Sequence, residues 1–328
     1  MTTPRRFTQN RVSRYHPLIA TGSLATMSHA TRHQEATLPD RLFALLLHLL
    51  PHHLLSSAIH WLTRSQWRPL KNQLISTAIS LYRIDMEQAE ENNPLNYPSF
   101  NHFFTRALRP GARPLAEETA AVACPVDGAV SQCGRIDSGR IFQAKGIDFS
   151  LEELLGGERD WSARFLDGSF ATIYLSPRDY HRVHMPLAGK LKKMLHVPGR
   201  LFSVSPSTTR TLPRLFCRNE RVISLFETPA GPMAVIMVGA IFVASMETVW
   251  AGTVTPATRR VSEWRYGKKS PRGTALERGA EMGRFNMGST VILLFGPDAV
   301  EWQERLQPGT RVLMGEAIAQ PTKPDTPE

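Results

Sequence analysis

The chain has 328 residues, 42% apolar and 21% charged, which excludes wholesale disorder and allows one large core with an appendage. Thirty-nine Lys and Arg against 29 Asp and Glu give a net charge of +10, so the surface favours an anionic partner: nucleic acid, acidic lipid or a phosphorylated substrate. Cys124, Cys133 and Cys217 are too few and too scattered for a disulfide framework or a Cys-x-x-Cys metal knuckle, and they fit a reducing compartment.

Residues 1–40 carry Arg5, Arg6, Arg11, Arg14 and Arg32 among many Ser and Thr, without the continuous apolar core of a secretory signal. The arginine bias permits an organellar targeting reading, but a loosely ordered basic tail accounts for it more simply. Next comes RLFALLLHLLPHHLLSSAIHWL, residues 41–62, the most hydrophobic part of the chain. Its unbroken apolar portion, Leu42 to Leu47, falls short of the roughly 20 residues that a spanning helix needs. It can still lie on a bilayer, with Trp61 and Trp67 as interface anchors and Arg41, Arg64, Arg68 and Lys71 available to anionic headgroups. Leu70, Leu74, Ile75, Ala78, Ile79 and Tyr82 recur at helical spacing and predict one amphipathic stripe. Two coverings of that stripe stay open, a membrane surface or the chain's own domain and a second subunit.

A boundary between Leu115 and Ala123 separates this helical front, 41–114, from a β-rich body, 115–328. The segments AVACPVDGAVSQCGRI, ATIYLSP, VISLFET, MAVIMVGAIFVASM and STVILLF read as strands between Gly and Pro turns. LLGGERD is a turn without the strand, loop and helix context of a phosphate loop. LQPGTRVLMGEAIA, residues 306–319, has two glycines separating short hydrophobic pieces and predicts a compact hairpin. The fold class expected is α+β.

Three places in the body carry chemistry. Asp127 in CPVDGAV reads first as an Asx-turn residue accepting local backbone N–H bonds while Gly128 takes an unusual dihedral. The same rigid placement could orient a histidine and stabilise its protonated form. SPRDYHRVHMP, residues 176–186, brings His181 and His184 together with Asp179, Tyr180 and Arg182. The two histidines are three apart, not four as in a zincin, and no third ligand accompanies them, so a metal centre is not expected. Asp179 and Tyr180 could equally make His181 a structural residue. Ser289 completes a possible Asp127, His184 and Ser289 set, but it lacks the Gly-x-Ser-x-Gly elbow of a hydrolase. What Gly288 and Ser289 offer is an unhindered peptide bond whose carbonyl the next hydroxyl can attack, given a base and a strained backbone.

CPVDGAVSQCGRI, FQAKGIDFSLEELLGG, YLSPRDYHRVHMPLAGKL, VPGRLFSVSP, VASMETVWAGTV and RFNMGSTVILLF, in this order, resemble bacterial phosphatidylserine decarboxylase over about residues 41 to 320. The family often has Leu-Gly-Ser-Thr where this chain has Met287-Gly288-Ser289-Thr290, a change between similar-sized apolar residues. The resemblance implies a β-rich pyruvoyl-decarboxylase body with an N-terminal amphipathic helical region that docks on membrane or on a second subunit. It implies a proenzyme that cuts itself between Gly288 and Ser289 and converts Ser289 into a covalent pyruvoyl group. Asp127 and His184 match the family's charge-relay pair for cleavage, and His181 matches the histidine expected to assist decarboxylation or protonation. The ketone would then form a Schiff base with phosphatidylserine, acting as electron sink for its decarboxylation to phosphatidylethanolamine.

The partners implied are phosphatidylserine, an anionic membrane surface and a second copy in a homodimer, with the two self-cleavage chains staying associated. The place implied is the cytoplasmic face of the bacterial cell membrane, as a peripheral protein. Two rivals stand beside this reading. A nucleic-acid-binding module rests on net charge alone, since no recognition helix or zinc knuckle is present, and nucleic acid is therefore not an expected partner. A serine hydrolase would keep Ser289 intact.

Overall fold

The computed structural model describes residues 59–241, 245–255, 260–267, 274–287 and 289–322; the tail 1–40, the apolar stretch 41–58, Gly288 and 323–328 lie outside them. The amphipathic stripe forms helix α1, Arg68–Tyr82, with a proline in its first turn. Arg83 ends it in a left-handed conformation, φ 53°, its N–H bonded to Ile79 O. Ile75 and Ala78 are buried, Leu74 and Ile79 are half-buried and pack beside them, and Tyr82 is exposed. Their covering includes Ile84, Tyr97 and the residues Phe100, Phe103 and Phe104 of helix α2, Phe100–Phe104, which Ser99 caps from its side chain. Of the two coverings left open for the stripe, this part of it therefore takes the chain's own residues.

Strands follow in the body: β1 (Val122–Ala123), β2 (Gly128–Arg135), β3 (Arg140–Ala144), β4 (Ile147–Ser150), β5 (Ser169–Leu175), β6 (Arg182–His184), β7 (Gly189–Val197), β8 (Arg221–Thr228) and β9 (Gly231–Val238). Then come β10 (Met246–Thr248), β11 (Gly252–Thr253), β12 (Ser262–Arg265), β13 (Ala275–Leu276), β14 (Glu281–Phe285), β15 (Ser289–Phe295), β16 (Val300–Trp302), β17 (Arg311–Val312) and β18 (Ala317–Pro321). With these helices and antiparallel sheets, the described residues are α+β.

The main sheet runs β12-β7-β8-β9-β15-β5-β2-β17, with β13 also on β7. In it, β15 lies between β9 and β5, so Leu293 faces Val235 on one side and Ala171 on the other. Val291 to Phe295 have no exposed surface, which is why the strand is a continuous apolar run and not an alternating one. A second sheet, β11-β10-β14-β6, carries the His184 strand. The front is tied to these sheets by Arg182 Nε donating to Thr105 O at 3.0 Å and by Asn101 Nδ2 donating to Asn286 Oδ1 at 3.0 Å.

Three local expectations change. Gly128 has no positive φ; a Cβ there would lie 2.5 Å from Tyr174 O and 2.8 Å from Ile173 Cγ2, so close strand approach demands the glycine. Asp127 makes no local turn with its side chain, because its carboxylate accepts from Arg113 and from Met314 N, far along the chain. The 306–319 segment is not a self-paired hairpin: β17 pairs with β2 in the main sheet, whereas β18 pairs with β1 and β16 in a third. Its short strands find longer-range partners than each other.

Candidate active site

Strand β14 belongs to one sheet and β15 to another, so the chain crosses between sheets after Phe285 and before Ser289. Asn286, almost wholly buried, anchors this crossing. Its Nδ2 donates to Ser245 Oγ at 2.6 Å and Glu247 Oε1 at 2.8 Å, its Oδ1 accepts from Asn101, and its backbone N–H donates to Ser245 O. Met287 packs against both the α1–α2 cluster and the body's core, and it sits at φ 131°, a conformation L side chains rarely adopt. A residue so placed stores on the order of 1–3 kcal/mol, tolerated because the packing over-determines it. Ser289 then enters β15 with Leu175 as its strand partner. Gly288, where the notion of a strained glycine falls, lies outside the described residues.

From Leu175 the chain turns through 176–181 and returns as β6. Asp179 makes the turn, its carboxylate accepting from Ser176 N and Oγ, both at 2.7 Å. His181 is fully buried, its Nδ1 lies 2.8 Å from Asp179 O, and its ring is 4.0 Å from that of Phe104. A carbonyl only accepts, so Nδ1 carries the proton and Nε2 presents its lone pair. Nε2 has no hydrogen-bond partner among the described residues. Burial, helped by the Arg106 charge, lowers the His181 pKa to about 3, so the imidazole is neutral at pH 7. Phe285 N donates to His181 O at 3.0 Å, which joins this histidine's backbone to the strand leading into the crossing.

His184 is oriented the same way. Its Nδ1–H donates to Gly279 O at 2.8 Å, and the Tyr180 hydroxyl donates to Nε2 at 3.0 Å. Burial is the main cause that lowers its pKa, with the Gly279 bond acting in the opposite sense. Burial also pushes Tyr180 up to about 12, so it stays a donor. His184 N donates to Pro125 O at 2.9 Å, which sets this strand alongside the Asp127 segment. Asp127 itself is gripped by Arg113, with Nε at 2.9 Å and Nη2 at 2.6 Å, and by Met314 N at 2.9 Å. No hydrogen bond joins Asp127 to His184 in this structure; the carboxylate acts on the imidazole through space.

The fold thus joins the His181 backbone to the end of β14 that leads into the crossing, sets His184 at the other end of the same strand pair, and lays the Asp127 segment against the His184 strand. Reading the sequence for site residues missed Arg113, Asn286 and Asn101. Asn286 stood inside the RFNMGST motif, but its partners lie 39 and 185 residues away in sequence, and no spacing rule points to them. Tyr180 and Asp179 were visible as neighbours, and both prove to be histidine partners. Among the described residues no group of three or more His, Cys, Asp and Glu is placed to hold a metal ion.

Comparison with known proteins matches a family model described as phosphatidylserine decarboxylase over residues 100–320 and one described as PSD over 42–83. The chain is 55% identical over 285 residues to the phosphatidylserine decarboxylase proenzyme of Bordetella avium, covering 87% of this chain and 96% of the relative. For the proenzyme of Azotobacter vinelandii the figures are 55% over 281 residues, 86% and 98%. For that of Pseudomonas putida strain GB-1 they are 54% over 284 residues, 87% and 99%.

The buried His181 has a consequence in acid. Its folded pKa is depressed to about 3 from 6.5, so as pH falls below 6.5 the unfolded chain takes up a proton that the folded chain refuses. Stability is then lost by about 1.4 kcal/mol per pH unit from this group until pH approaches 3. Urea unfolding between pH 7 and 4 should show a slope shallower by that amount in His181→Gln; equal slopes would mean that His181 is not buried neutral.

Proposed function

Because the chain belongs to the phosphatidylserine decarboxylase family, we infer that it is a proenzyme that cuts itself between Gly288 and Ser289 and then converts phosphatidylserine to phosphatidylethanolamine. The observation that supports the cleavage reading best is the crossing itself: Asn286 locked on its N-terminal side, Met287 at φ 131°, and Ser289 paired into a central strand. Strain held at Met287, one residue before the scissile bond, raises the energy of the uncut chain, and cutting that bond would release it.

In this reading His184 is the base that takes the Ser289 proton. Its Nδ1–H is committed to Gly279 O, so Nε2 is the accepting atom, and the Tyr180 hydroxyl must turn from it or pass the proton along. Asp127, held by Arg113 and Met314 N, offsets the imidazolium charge at a distance. Cleavage would leave β15 to β18 on the shorter chain, and the pairing of β15 with both β9 and β5 argues that the two chains stay together.

The pyruvoyl group made from Ser289 supplies a ketone that captures the substrate amine and accepts the electron pair released with carbon dioxide. The surroundings fit such a group. His181 presents a buried, unpartnered lone pair against Phe104, in a setting that excludes water. We assign it a place in the relay that returns a proton to the carbon that lost carbon dioxide, the proton being drawn from solvent and not from the substrate ammonium, whose amine is by far the stronger base. Its depressed basicity makes the return the downhill step.

Membrane docking at the cytoplasmic face is part of the same reading. Trp61, Trp67 and Leu81 are 74%, 66% and 68% exposed, which suits a helical front that meets lipid. Among the described residues no helix is long and apolar enough to cross a membrane. Vesicles containing phosphatidylserine should sediment the full chain, and W61A/W67A should lose at least about half of that binding in line with lost interfacial anchors. Unchanged sedimentation would remove the tryptophans from the docking surface.

Intact-mass analysis tests the central claim. Wild-type protein should give a 288-residue chain and a 40-residue chain (328 − 288) with a modified N-terminus, while Ser289→Ala should stay whole. Asn286→Ala should cut more slowly, about tenfold if about 1.4 kcal/mol of strain is relieved. A wild-type chain that stays whole with unmodified serine would end the proenzyme reading and favour the hydrolase. Native mass in the same experiment reads the proposed homodimer. His181→Gln should mature to both chains yet lose at least about a hundredfold in decarboxylation, the size of one proton-transfer group. Undiminished turnover would take His181 off the catalytic set.

A further inference from the structure

A cavity of about 210 Å³ lies beside Asp127 and Tyr180, and its walls carry more guanidinium than carboxylate. Two of its ion pairs cancel: Arg113 with Asp127 at 2.6 Å and Arg311 with Asp179 at 2.9 Å. What remains is Arg83, Arg106 and Arg178 against Asp85. The Asp85 carboxylate is occupied by Glu87 N and Gln88 Nε2. Arg178 comes no closer than 4.0 Å to Asp179, and Arg83 has no side-chain hydrogen bond or ion pair among the described residues.

Arg106 is the unusual member. It is 5% exposed, yet only its Nη2 finds an acceptor, Arg178 O at 3.1 Å. Its Nε and Nη1 have no partner. A guanidinium stays charged, and buried donors of this strength are normally satisfied by an acceptor. The surplus of positive charge and the unsatisfied donors therefore occur on the same cavity wall.

We propose that this cavity binds one phosphate-type oxyanion, either the phosphodiester of the lipid headgroup or free phosphate, held by Arg83, Arg106 and Arg178. A tetrahedral oxyanion offers acceptors in several directions and suits guanidinium groups converging from the end of α1, the end of α2 and the 176–181 turn. The headgroup source rests on the decarboxylase reading, because a serine phosphodiester sits a few bonds from the amine and carboxylate that would react near His181 and His184. The free-phosphate source does not depend on it.

The test uses the full mature protein, its R83Q/R178Q variant and, as a charge control, R135Q/R159Q. Calorimetry with inorganic phosphate and turnover of phosphatidylserine in mixed micelles are both measured. Phosphate should bind the wild type, and R83Q/R178Q should weaken it at least about tenfold while the control does not. A rise of at least about tenfold in apparent KM for R83Q/R178Q alone, with maturation and kcat kept, assigns the headgroup as the source. Loss of phosphate binding with unchanged KM assigns free phosphate. The proposal is overturned if neither phosphate binding nor KM responds to R83Q/R178Q, or if the control shifts both equally. Phosphate binding in a protein that turns over no phosphatidylserine would count against the decarboxylase reading and leave the oxyanion site standing.

Discussion

Everything at this site depends on the passage of the chain from one sheet to another between Phe285 and Ser289. Strand β14 ends with its neighbours in the smaller sheet, and β15 starts with neighbours on both sides in the larger one. Neither end can give way without breaking a ladder, and Asn286 and Met287 lie between those two ends. Asn286 is fixed there by filling its donors and its carbonyl oxygen at once. Met287, wedged between two apolar clusters, takes the unfavourable dihedral. The sheets, the buried amide and the strained residue are one arrangement.

The two histidines illustrate how a fold chooses between identical side chains. Each gives its Nδ1–H to a backbone carbonyl and so presents Nε2 as the basic atom. They then diverge. His184 has a phenol on Nε2 and a carboxylate nearby, so a positive charge there meets some compensation. His181 has an aromatic ring against it, no partner on Nε2, and the Arg106 charge opposing protonation. Burial disfavours charge on both, but the compensation differs, and that difference separates their chemistry.

Much of this was legible in the sequence where the signal is local. The α1 stripe, the apolar run of β15 and the clustering of His181 and His184 all follow from spacing and composition. The motifs that resemble phosphatidylserine decarboxylase single out Ser289, Asp127 and both histidines. The illegible part is made of long-range polar contacts. Arg113 reaches Asp127 from a loop, Met314 N reaches it from the far end of the body, and Asn101 reaches Asn286 from the helical front. Such bonds have no period, and no spacing rule announces them. Gly128 shows a related limit: a glycine required by a neighbouring strand's carbonyl looks the same in sequence as one required by a turn.

The central position of β15 also sets an order of events. Its neighbours β9 and β5 are residues 231–238 and 169–175, so β15 is seated in the sheet only when both of those strands are in register. On the proposed reading, a chain with the wrong strand pairing keeps an ordinary hydroxyl at 289. The electrophile proposed to arise there would thus be withheld until the surrounding sheet has been assembled, which would make maturation the chain's own proofreading step.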